Sequence, residues 1–191
     1  IGDGDVDKYH DSVRIVFGDH KYESVAYRTV FNDFARLSKT NHVGIYETHN
    51  KCNGKVSEHT SRRFTIYPKQ DIVDLFKSCG GCAGDKHIPD IARKFSKHGI
   101  CELLAGLFDS DGCIEKSKRT QGGFKFQISY TSCNEELVMQ IAQHLHNLGM
   151  TCSVKTIDRS NSGRGVDYRL RIGDTDSLKR FNELIHLRVE Y

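Results

Sequence analysis

The sequence predicts an α+β fold in which one arrangement of antiparallel strands and helices occurs twice. Segments with alternating apolar residues come in pairs separated by polar turns, and each pair precedes a segment with helical spacing. This order repeats once along the chain. The 191 residues suffice for two small halves with buried cores. We therefore expect two pseudo-symmetric αββαββα halves with antiparallel sheets, over residues 1–89 and 90–191.

The first half follows from its apolar spacing. Residues 12–17 place Val13, Ile15 and Phe17 on one face of a strand and Arg14 on the other. The further predicted elements are a helix over 22–39, a hairpin of 42–49 and 62–67 with Asn53-Gly54 at its tip, and a helix over 70–79 that ends at Gly80-Gly81.

The second half repeats this order behind an apolar helix, "CELLAGLFDSDG" at 101–112. A second helix has Asn134 as its N-cap and Gly149 as its stop. The predicted elements are strands over 112–118 and 123–130, a helix over 134–150, strands over 151–157 and 166–173, and a terminal helix over 174–187.

Composition excludes few function classes. The chain has 28 Lys and Arg against 25 Asp and Glu, a net charge of +3, so nucleic-acid binding would require basic residues gathered on one face. No apolar run reaches about 20 residues, so we expect no membrane span. Seven cysteines without a framework spacing predict a reduced, intracellular protein. Cys79 and Cys82 form one C-x-x-C pair without a second, so zinc binding there stays open.

The apolar helix ends in paired acids, and one of them recurs. "DSDG" at 109–112 aligns with "IGDG" at 1–4, which pairs Asp111 with Asp3. Acids oppose the dipole at a helix C-terminus, so capping explains Asp111 poorly. Asp109 aligns with Ile1 and reads as a solvated helix end. Two halves related by a two-fold axis would bring the paired carboxylates together, and a divalent cation such as Mg²⁺ relieves their repulsion.

Four blocks of the chain resemble one family. "LLAGLFDSDG" (103–112) resembles the name-giving motif of the LAGLIDADG homing endonucleases, and "IGDG" resembles the end of a first motif copy whose apolar helix is truncated here. "DKHIPDIARKF" (85–95) resembles the Lys-x-Ile-Pro block of the intein-encoded members, and "LVMQIAQHLHNLGM" (137–150) resembles their later helical block. The blocks of a splicing domain are not seen in this sequence.

The resemblance implies a site-specific double-strand DNA endonuclease that hydrolyses phosphodiesters with Mg²⁺ or Mn²⁺. Asp3 and Asp111 match the family's metal-binding acids. Lys86 matches its catalytic lysine, which would stabilise charge at the scissile phosphate or polarise the attacking water. Arg188 stands beyond the terminal helix, where the family often has a second catalytic lysine. The motif helices pack against each other in the family, and Gly106 is small enough for such an approach.

The resemblance also implies that the two sheets form a saddle over DNA. Strand alternation predicts Phe124, Phe126 and Ile128, and Tyr168, Leu170 and Ile172, toward the helices. The residues expected to face DNA are Arg14, Arg62, Lys116, Lys118, Lys125, Gln127, Lys155, Arg169 and Arg171. The expected partner is double-stranded DNA with a long asymmetric target site, bound by a monomer with an internal pseudo-dimer. An RNA-binding intron maturase and a non-cleaving DNA-binding domain are the alternatives on this scaffold.

Overall fold

The computed structural model describes residues 4–7, 11–18, 25–39, 43–52, 55–81, 84–118, 123–162 and 165–188. The chain forms two compact units that divide after Gly81. Each unit contains a four-stranded antiparallel sheet, and the described helices and strands follow the predicted order. Among the helices within these ranges, none is both long enough and apolar enough to cross a membrane.

The first unit builds its sheet from two hairpin pairs. Its elements are β1 (Gly4–Val6), β2 (Val13–Gly18), α1 (Val25–Leu37), β3 (Gly44–Cys52), β4 (Lys55–Ile66) and α2 (Gln70–Lys77). The strand order is β1-β2-β4-β3. The β3–β4 hairpin is longer than predicted, because antiparallel backbone pairing continues through polar residues that show no apolar alternation.

The core of the first unit lies between α1 and the inner face of the sheet. Val13, Phe64 and Ile66 are completely buried, and Phe34 of α1 is 3% exposed. The ring of Phe31 meets that of Phe64 edge-on, with 5.4 Å between the ring centroids. The apolar alternation of β2 and β4 and the helical spacing of α1 thus meet in one cluster.

The second unit repeats the arrangement behind an additional helix. Its elements are α3 (Lys97–Asp111), β5 (Gly112–Lys118), β6 (Phe124–Ser132), α4 (Glu135–Asn147), β7 (Ser153–Asp158), β8 (Val166–Ile172) and α5 (Thr175–Leu184), with short 3₁₀ turns at Asp90–Lys94 and Ser160–Ser162. The strand order β5-β6-β8-β7 is that of the first sheet.

An aromatic cluster holds the end of α3 in the second unit. The Phe108 ring packs edge-on against Tyr130 of β6 and Phe181 of α5, with centroid distances of 5.6 and 5.0 Å. All three residues are at most 2% exposed. Burying three rings with edge-to-face geometry contributes area and orientation together, so this cluster fixes α3 against both a strand and a helix.

The predicted helix signals at α4 are confirmed. The Asn134 side chain accepts a hydrogen bond from the Leu137 N–H at 2.9 Å, which makes it the N-cap. Gly149 adopts a φ of 79°, and the Met150 N–H donates to the Leu145 carbonyl at 2.9 Å. This left-handed position favours glycine and ends the helix.

Helix α3 passes directly into the edge strand β5 at Gly112. The Gly112 N–H donates to the Phe108 carbonyl, and Gly112 already has extended dihedrals, φ −78° and ψ 161°. A Cβ at this position would overlap the Phe108 carbonyl oxygen and lie 2.9 Å from the Phe108 Cα. Glycine is therefore required here by close approach of the backbone.

Replacing Gly112 with alanine is expected to lower the free energy of unfolding by about 1–3 kcal/mol, because the new methyl group overpacks the helix end. Gly106→Ala is the matched control in the same helix, since a Cβ there meets no atom of the described residues within 4 Å. That control should be neutral or stabilising by up to about 1 kcal/mol. Urea unfolding measures the free energies of unfolding of both variants. Equal stability of the two would contradict the close contact between Gly112 and the Phe108 backbone.

Asp174 caps α5 and couples its stability to pH. Its carboxylate accepts hydrogen bonds from the Thr151 hydroxyl at 2.6 Å and the Ser177 N–H at 2.8 Å. These bonds, the Thr151 hydroxyl first, lower the Asp174 pKa to about 2. The stabilisation is complete above the unfolded-state pKa near 3.9 and is lost as pH falls through the folded-state value.

Asp174→Ala is therefore expected to be about 1 kcal/mol less stable than the parent at neutral pH, through loss of the cap. The difference should shrink as pH falls from about 4 to about 2, because the parent protonates and the variant does not. Asp174→Asn, which keeps a capping oxygen, is the control. Urea unfolding across this range measures the trend, and a constant difference between parent and alanine variant would refute it.

Candidate nucleic-acid interface and metal-ligand position

The predicted metal ligand Asp111 lies at the solvent-exposed end of α3. The Tyr130 hydroxyl stands 3.5 Å from its Oδ2 atom, and Tyr130 is 1% exposed. Tyr130 also pairs across the sheet with Gly112, the next residue in the chain. A buried phenol and a strand pairing thus orient the carboxylate. The sequence reasoning missed Tyr130, although it lies in the strand that pairs with the segment following the motif.

The predicted partner of Asp111, Asp3, lies outside the described residues. The strand that follows it is nevertheless equivalent to β5. Gly4 of β1 pairs with Ile15 as Gly112 pairs with Tyr130, and both strands occupy an edge of a sheet with the same order. The sheet register therefore gives Gly4 and Gly112, the last residues of the two aligned blocks, equivalent positions. Within the described ranges, no group of three or more His, Cys, Asp or Glu side chains is placed to hold a metal.

The second sheet has two chemically distinct faces. On the helix face, Leu170 and Ile172 are fully buried, as predicted. We call the opposite side the outer face. Register assigns to it the predicted DNA-contacting residues Lys125, Gln127, Lys155, Arg169 and Arg171. Their orientation away from Leu170 and Ile172 confirms the alternation; their role toward DNA stays a prediction.

Two arginines occupy the middle of the outer face. Arg169 lies opposite Lys155 in the ladder, and its Nε donates to the Thr131 hydroxyl at 3.3 Å. Arg171 lies between Ser129 and Ser153. Its Nε is buried and has no hydrogen-bond partner among the described residues. Leaving a buried guanidinium N–H unpaired is costly.

Gln127 is held by an acid that the sequence reasoning missed. Its Nε2 donates to the Glu115 Oε2 at 3.2 Å, and the Ser129 hydroxyl lies 3.5 Å from the other Glu115 oxygen. Glu115 lies directly opposite Gln127 in the ladder. Because the amide NH₂ is directed to the carboxylate, the amide oxygen is left as an acceptor. The E-K-S-K run next to an alternating strand was the signal that could have identified this cross-strand pair.

The predicted orientation of Lys116 and Lys118 is wrong. They lie opposite Phe126 and Phe124 in the ladder, on the face of Ile128. Phe124 and Phe126 lie on the face of Ile128, as alternation predicts, but they are not part of the core, because each is 49% exposed while Ile128 is 7% exposed. The hairpin becomes exposed toward its turn, so side chains there do not reach the core. Lys116 Nζ instead lies 4.1 Å from the Phe124 ring centroid.

Arg14, a predicted DNA contact, is paired within the first sheet. Its Nε and Nη2 donate to the two Asp5 oxygens at 3.0 and 2.6 Å, and its Nη1 donates to Asp7 at 2.9 Å. The hydrogen bond to Asp5 raises the pKa of Arg14. The outward orientation is retained, but two carboxylates neutralise the guanidinium. Asp5 lies in β1 and Asp7 directly follows it, and this spacing of two residues along an extended segment was the available signal.

The outward assignment of Arg62 is wrong, and Arg63 takes its place. Arg63 lies opposite Val16 and Tyr46, on the side of the first sheet that faces away from the buried Phe64; we call this the outer side of the first sheet. Arg62 shares the face of Phe64, and its Nε donates to Glu47 at 3.1 Å. Strict alternation back from the buried Phe64 would have identified Arg63. Arg63 precedes Phe64 as Arg169 precedes Leu170, and Phe64 and Leu170 occupy equivalent rows of the two sheets.

Of the remaining predicted site residues, Lys86 is half-buried in the segment before the Asp90–Lys94 turn. Arg188 is half-buried and lies beyond the end of α5. Cys79 is buried, and its thiol lies 3.3 Å from the Leu75 carbonyl. Burial raises the pKa of this thiol and disfavours the thiolate that a zinc ion requires. Its motif partner Cys82 lies outside the described residues.

The comparison with protein families concerns the second unit. A family profile described as the LAGLIDADG-like domain matches residues 99–186. This stretch begins in α3 and includes every later strand and helix. It therefore contains the Asp111–Gly112 junction and the outer face of the second sheet.

Two curated relatives are DNA helicases. The chain is 33% identical over 92 residues to the replicative DNA helicase DnaB of Mycobacterium intracellulare, covering 47% of this chain and 15% of the helicase. It is 31% identical over 134 residues to the ATP-dependent DNA helicase Hel308 of Methanocaldococcus jannaschii, covering 65% of this chain and 10% of the helicase. The chain thus spans a small part of the curated relatives that it matches.

Solved structures share the fold over almost the whole chain. The homing endonuclease I-DmoI in complex with its target DNA and Mg matches with a TM-score of 0.54 and 14% identity, covering 95% of this chain and 85% of that chain. The complex of I-DmoI with its nicked target DNA and Mn matches with a TM-score of 0.55 and 15% identity, covering 96% of this chain and 88% of that chain. The N-terminal LAGLIDADG domain of WhiA matches with a TM-score of 0.56 and 16% identity, covering 99% of this chain and 77% of that chain. The chain therefore has the LAGLIDADG fold, and its residues 99–186 match the LAGLIDADG-like domain.

Proposed function

We propose that this chain is a site-specific, double-strand DNA endonuclease domain that hydrolyses phosphodiesters with a divalent metal. The observation that carries the proposal is Asp111, a carboxylate held exposed at the helix–strand junction by Gly112 and Tyr130. The equivalent register of Gly4 and Gly112 supports Asp3, the residue before Gly4, as its counterpart in the first half.

The donor set suits a hard cation. Asp111 is an exposed carboxylate, and oxygen ligands of this kind are those that Mg²⁺ and Mn²⁺ prefer. We assign the metal to Asp111 and Asp3, where it would polarise the phosphodiester and activate water when bound. Lys86 is assigned the stabilisation of charge at the scissile phosphate, and Arg188 is its candidate counterpart in the second half.

The outer face of the second sheet is the proposed DNA surface. Lys125, Lys155, Arg169 and Arg171 supply cations for phosphates. Gln127 presents an amide oxygen oriented by Glu115, which suits an exocyclic amine of adenine or cytosine. Arg63 replaces Arg62 as the proposed contact of the first sheet, since it lies on the outer side.

The intein-encoded type is part of the proposal. The Lys-x-Ile-Pro and Leu-Gly blocks around Lys86 and Gly149 support it. A match confined to 15% and 10% of two helicases also suits an endonuclease domain carried within a longer host protein. An intracellular location, a monomeric state and a long asymmetric target site belong to the same proposal.

A non-cleaving nucleic-acid-binding domain is the second candidate. The WhiA domain, whose name does not describe it as an endonuclease, covers 99% of the chain with a TM-score of 0.56, about as well as I-DmoI does, so the fold alone does not assign cleavage. Retention of Asp3, Asp111 and Lys86 favours cleavage, because binding alone has no need of this set.

Asp111→Asn and Asp3→Asn are each expected to slow cleavage at least about a hundredfold, because each removes a negative metal ligand. A target is first recovered by incubating the parent with a library of randomised duplex DNA and Mg²⁺. Single-turnover cleavage of that duplex then compares the variants with Asp33→Asn, a change on an exposed helix face. Unchanged cutting by either ligand variant contradicts the metal assignment, and binding without cutting by the parent favours the second candidate.

The two faces of the β5–β6 hairpin provide a matched test of the DNA surface. Lys125→Ala on the outer face should weaken binding to a random-sequence duplex. It should also reduce the slope of log K against log salt by about 0.9 for each phosphate that the protein no longer neutralises. Lys116→Ala, on the opposite face of the same hairpin, should leave that slope unchanged. Fluorescence anisotropy titrations at several salt concentrations measure this slope. Equal effects of the two variants argue against DNA binding by the outer face.

A further inference from the structure

The segment that carries Lys86 is fastened to α4 on both sides. Before Lys86, the Asn134 Nδ2 donates to the Gly84 carbonyl at 2.7 Å. After it, the Ile88 N–H donates to the Gln140 Oε1 at 2.6 Å, and the Gln140 Nε2 lies 3.5 Å from the Ile88 carbonyl. Two side-chain amides, from α4 and its N-cap, therefore hold the backbone on either side of a single lysine.

The orientation of the Asn134 amide is determined by its other contact. Its Oδ1 accepts the Leu137 N–H as the N-cap of α4, so its Nδ2 is the atom available to the Gly84 carbonyl. Asn134 is 8% exposed, and hydrogen bonds in such surroundings are sheltered from competition by water. One residue thus starts the helix and holds the segment.

Gln140 lies on the same helix and binds the segment as a backbone amide would. It accepts from the N–H and approaches the carbonyl of the same residue, Ile88. Ile88 is 5% exposed and the following Pro89 is buried, so this end of the segment is also held by packing. Breaking the amide contact would leave the Ile88 backbone groups to find other partners.

The support behind these contacts is rigid. On α4, Leu137, Val138 and Ile141 are at most 1% exposed and form part of the second unit's core. A side chain held by a helix that is itself locked by packing is more precisely placed than one on an unsupported loop.

We propose that Gln140 and Asn134 are positioning residues that set the Lys86 side chain for its step in phosphodiester cleavage. The inference rests on the proposed function, since it requires Lys86 to act at the scissile phosphate. Positioning matters there because a misplacement of about 1 Å in a reacting group can cost about a hundredfold in rate. The Gln140 Nε2 also lies 3.4 Å from the Glu136 Oε1 one turn earlier, and this contact leaves its Oε1 bound to the Ile88 N–H.

Gln140→Ala is the test variant, because replacing Asn134 would also remove the helix cap. We expect its single-turnover cleavage rate, with the protein in saturating excess over the target duplex, to fall tenfold to a hundredfold in Mg²⁺. Its KM for the duplex, measured separately with the duplex in excess, should stay within about threefold of the parent. Gln143→Ala is the matched control: Gln143 lies on the same helix, and its amide donates to Asn147 at 3.0 Å. This control should cleave at the parental rate.

A double-variant cycle with Lys86→Ala distinguishes positioning from general destabilisation. If Gln140 acts through Lys86, the rate of the double variant should match that of Lys86→Ala alone, whereas independent effects multiply. Multiplying effects overturn the inference. So does a parental rate in Gln140→Ala when Lys86→Ala is slow. A parental rate in Lys86→Ala overturns the proposed role of Lys86 and this inference with it, and absence of cleavage by the parent overturns the proposed function as well.

Gln140→Glu keeps the measurement decisive if the alanine variant unfolds, which circular dichroism and thermal unfolding detect. A glutamate retains the acceptor for the Ile88 N–H and removes the donor toward the Ile88 carbonyl. Its rate should fall between those of parent and Lys86→Ala, with an unchanged KM. A parental rate in a folded Gln140→Glu protein, measured where Lys86→Ala is slow, rejects positioning by this residue.

Discussion

The edge-to-face packing of Phe108 against Tyr130 and Phe181 is the contact on which the second unit depends. It fixes the last turn of α3 against the sheet and against α5 at once. Because Gly112 has no side chain, the chain can turn from that helix into the edge strand directly beneath the Phe108 carbonyl. The exposed position of Asp111 follows from this tight junction, and the Tyr130 hydroxyl of the same cluster lies beside the carboxylate.

In the second sheet, the alternation of side chains along each strand separates a core-facing side from the side proposed to contact DNA. In the middle of the second sheet, Ile128, Leu170 and Ile172 face the helices and are buried, and their neighbours along the strands are polar and point the other way. The outer face of the second sheet therefore collects cations although the net charge of the whole chain is only +3. The first sheet is different, because Asp5 and Asp7 neutralise Arg14. Arg63 is the arginine of the first sheet whose position corresponds to that of Arg169.

Helix α4 serves the core and the candidate site from different sides. Leu137 and Ile141 bury one side, while Asn134 and Gln140 reach the segment around Lys86. Polar side chains at the margin of a buried helix face are placed as accurately as the core itself, since the same packing restrains them. This explains how a segment with little regular structure can still hold a half-buried lysine.

Local patterns in the amino-acid sequence were enough to predict the order of elements, the Asn134 cap, the Gly149 stop and the burial of Leu170 and Ile172. Each of these depends on residue spacing or on backbone chemistry. The Asp111 junction was also predictable, since the motif residues are contiguous in the chain.

Three-dimensional packing was needed to establish that Phe124 and Phe126 are exposed, that Arg63 rather than Arg62 faces outward, and that Gln140 contacts Ile88. The physical reason is that alternation tells which residues share a face of a strand. How far the core extends along that strand, and which distant side chains meet, depends on how the elements pack against one another.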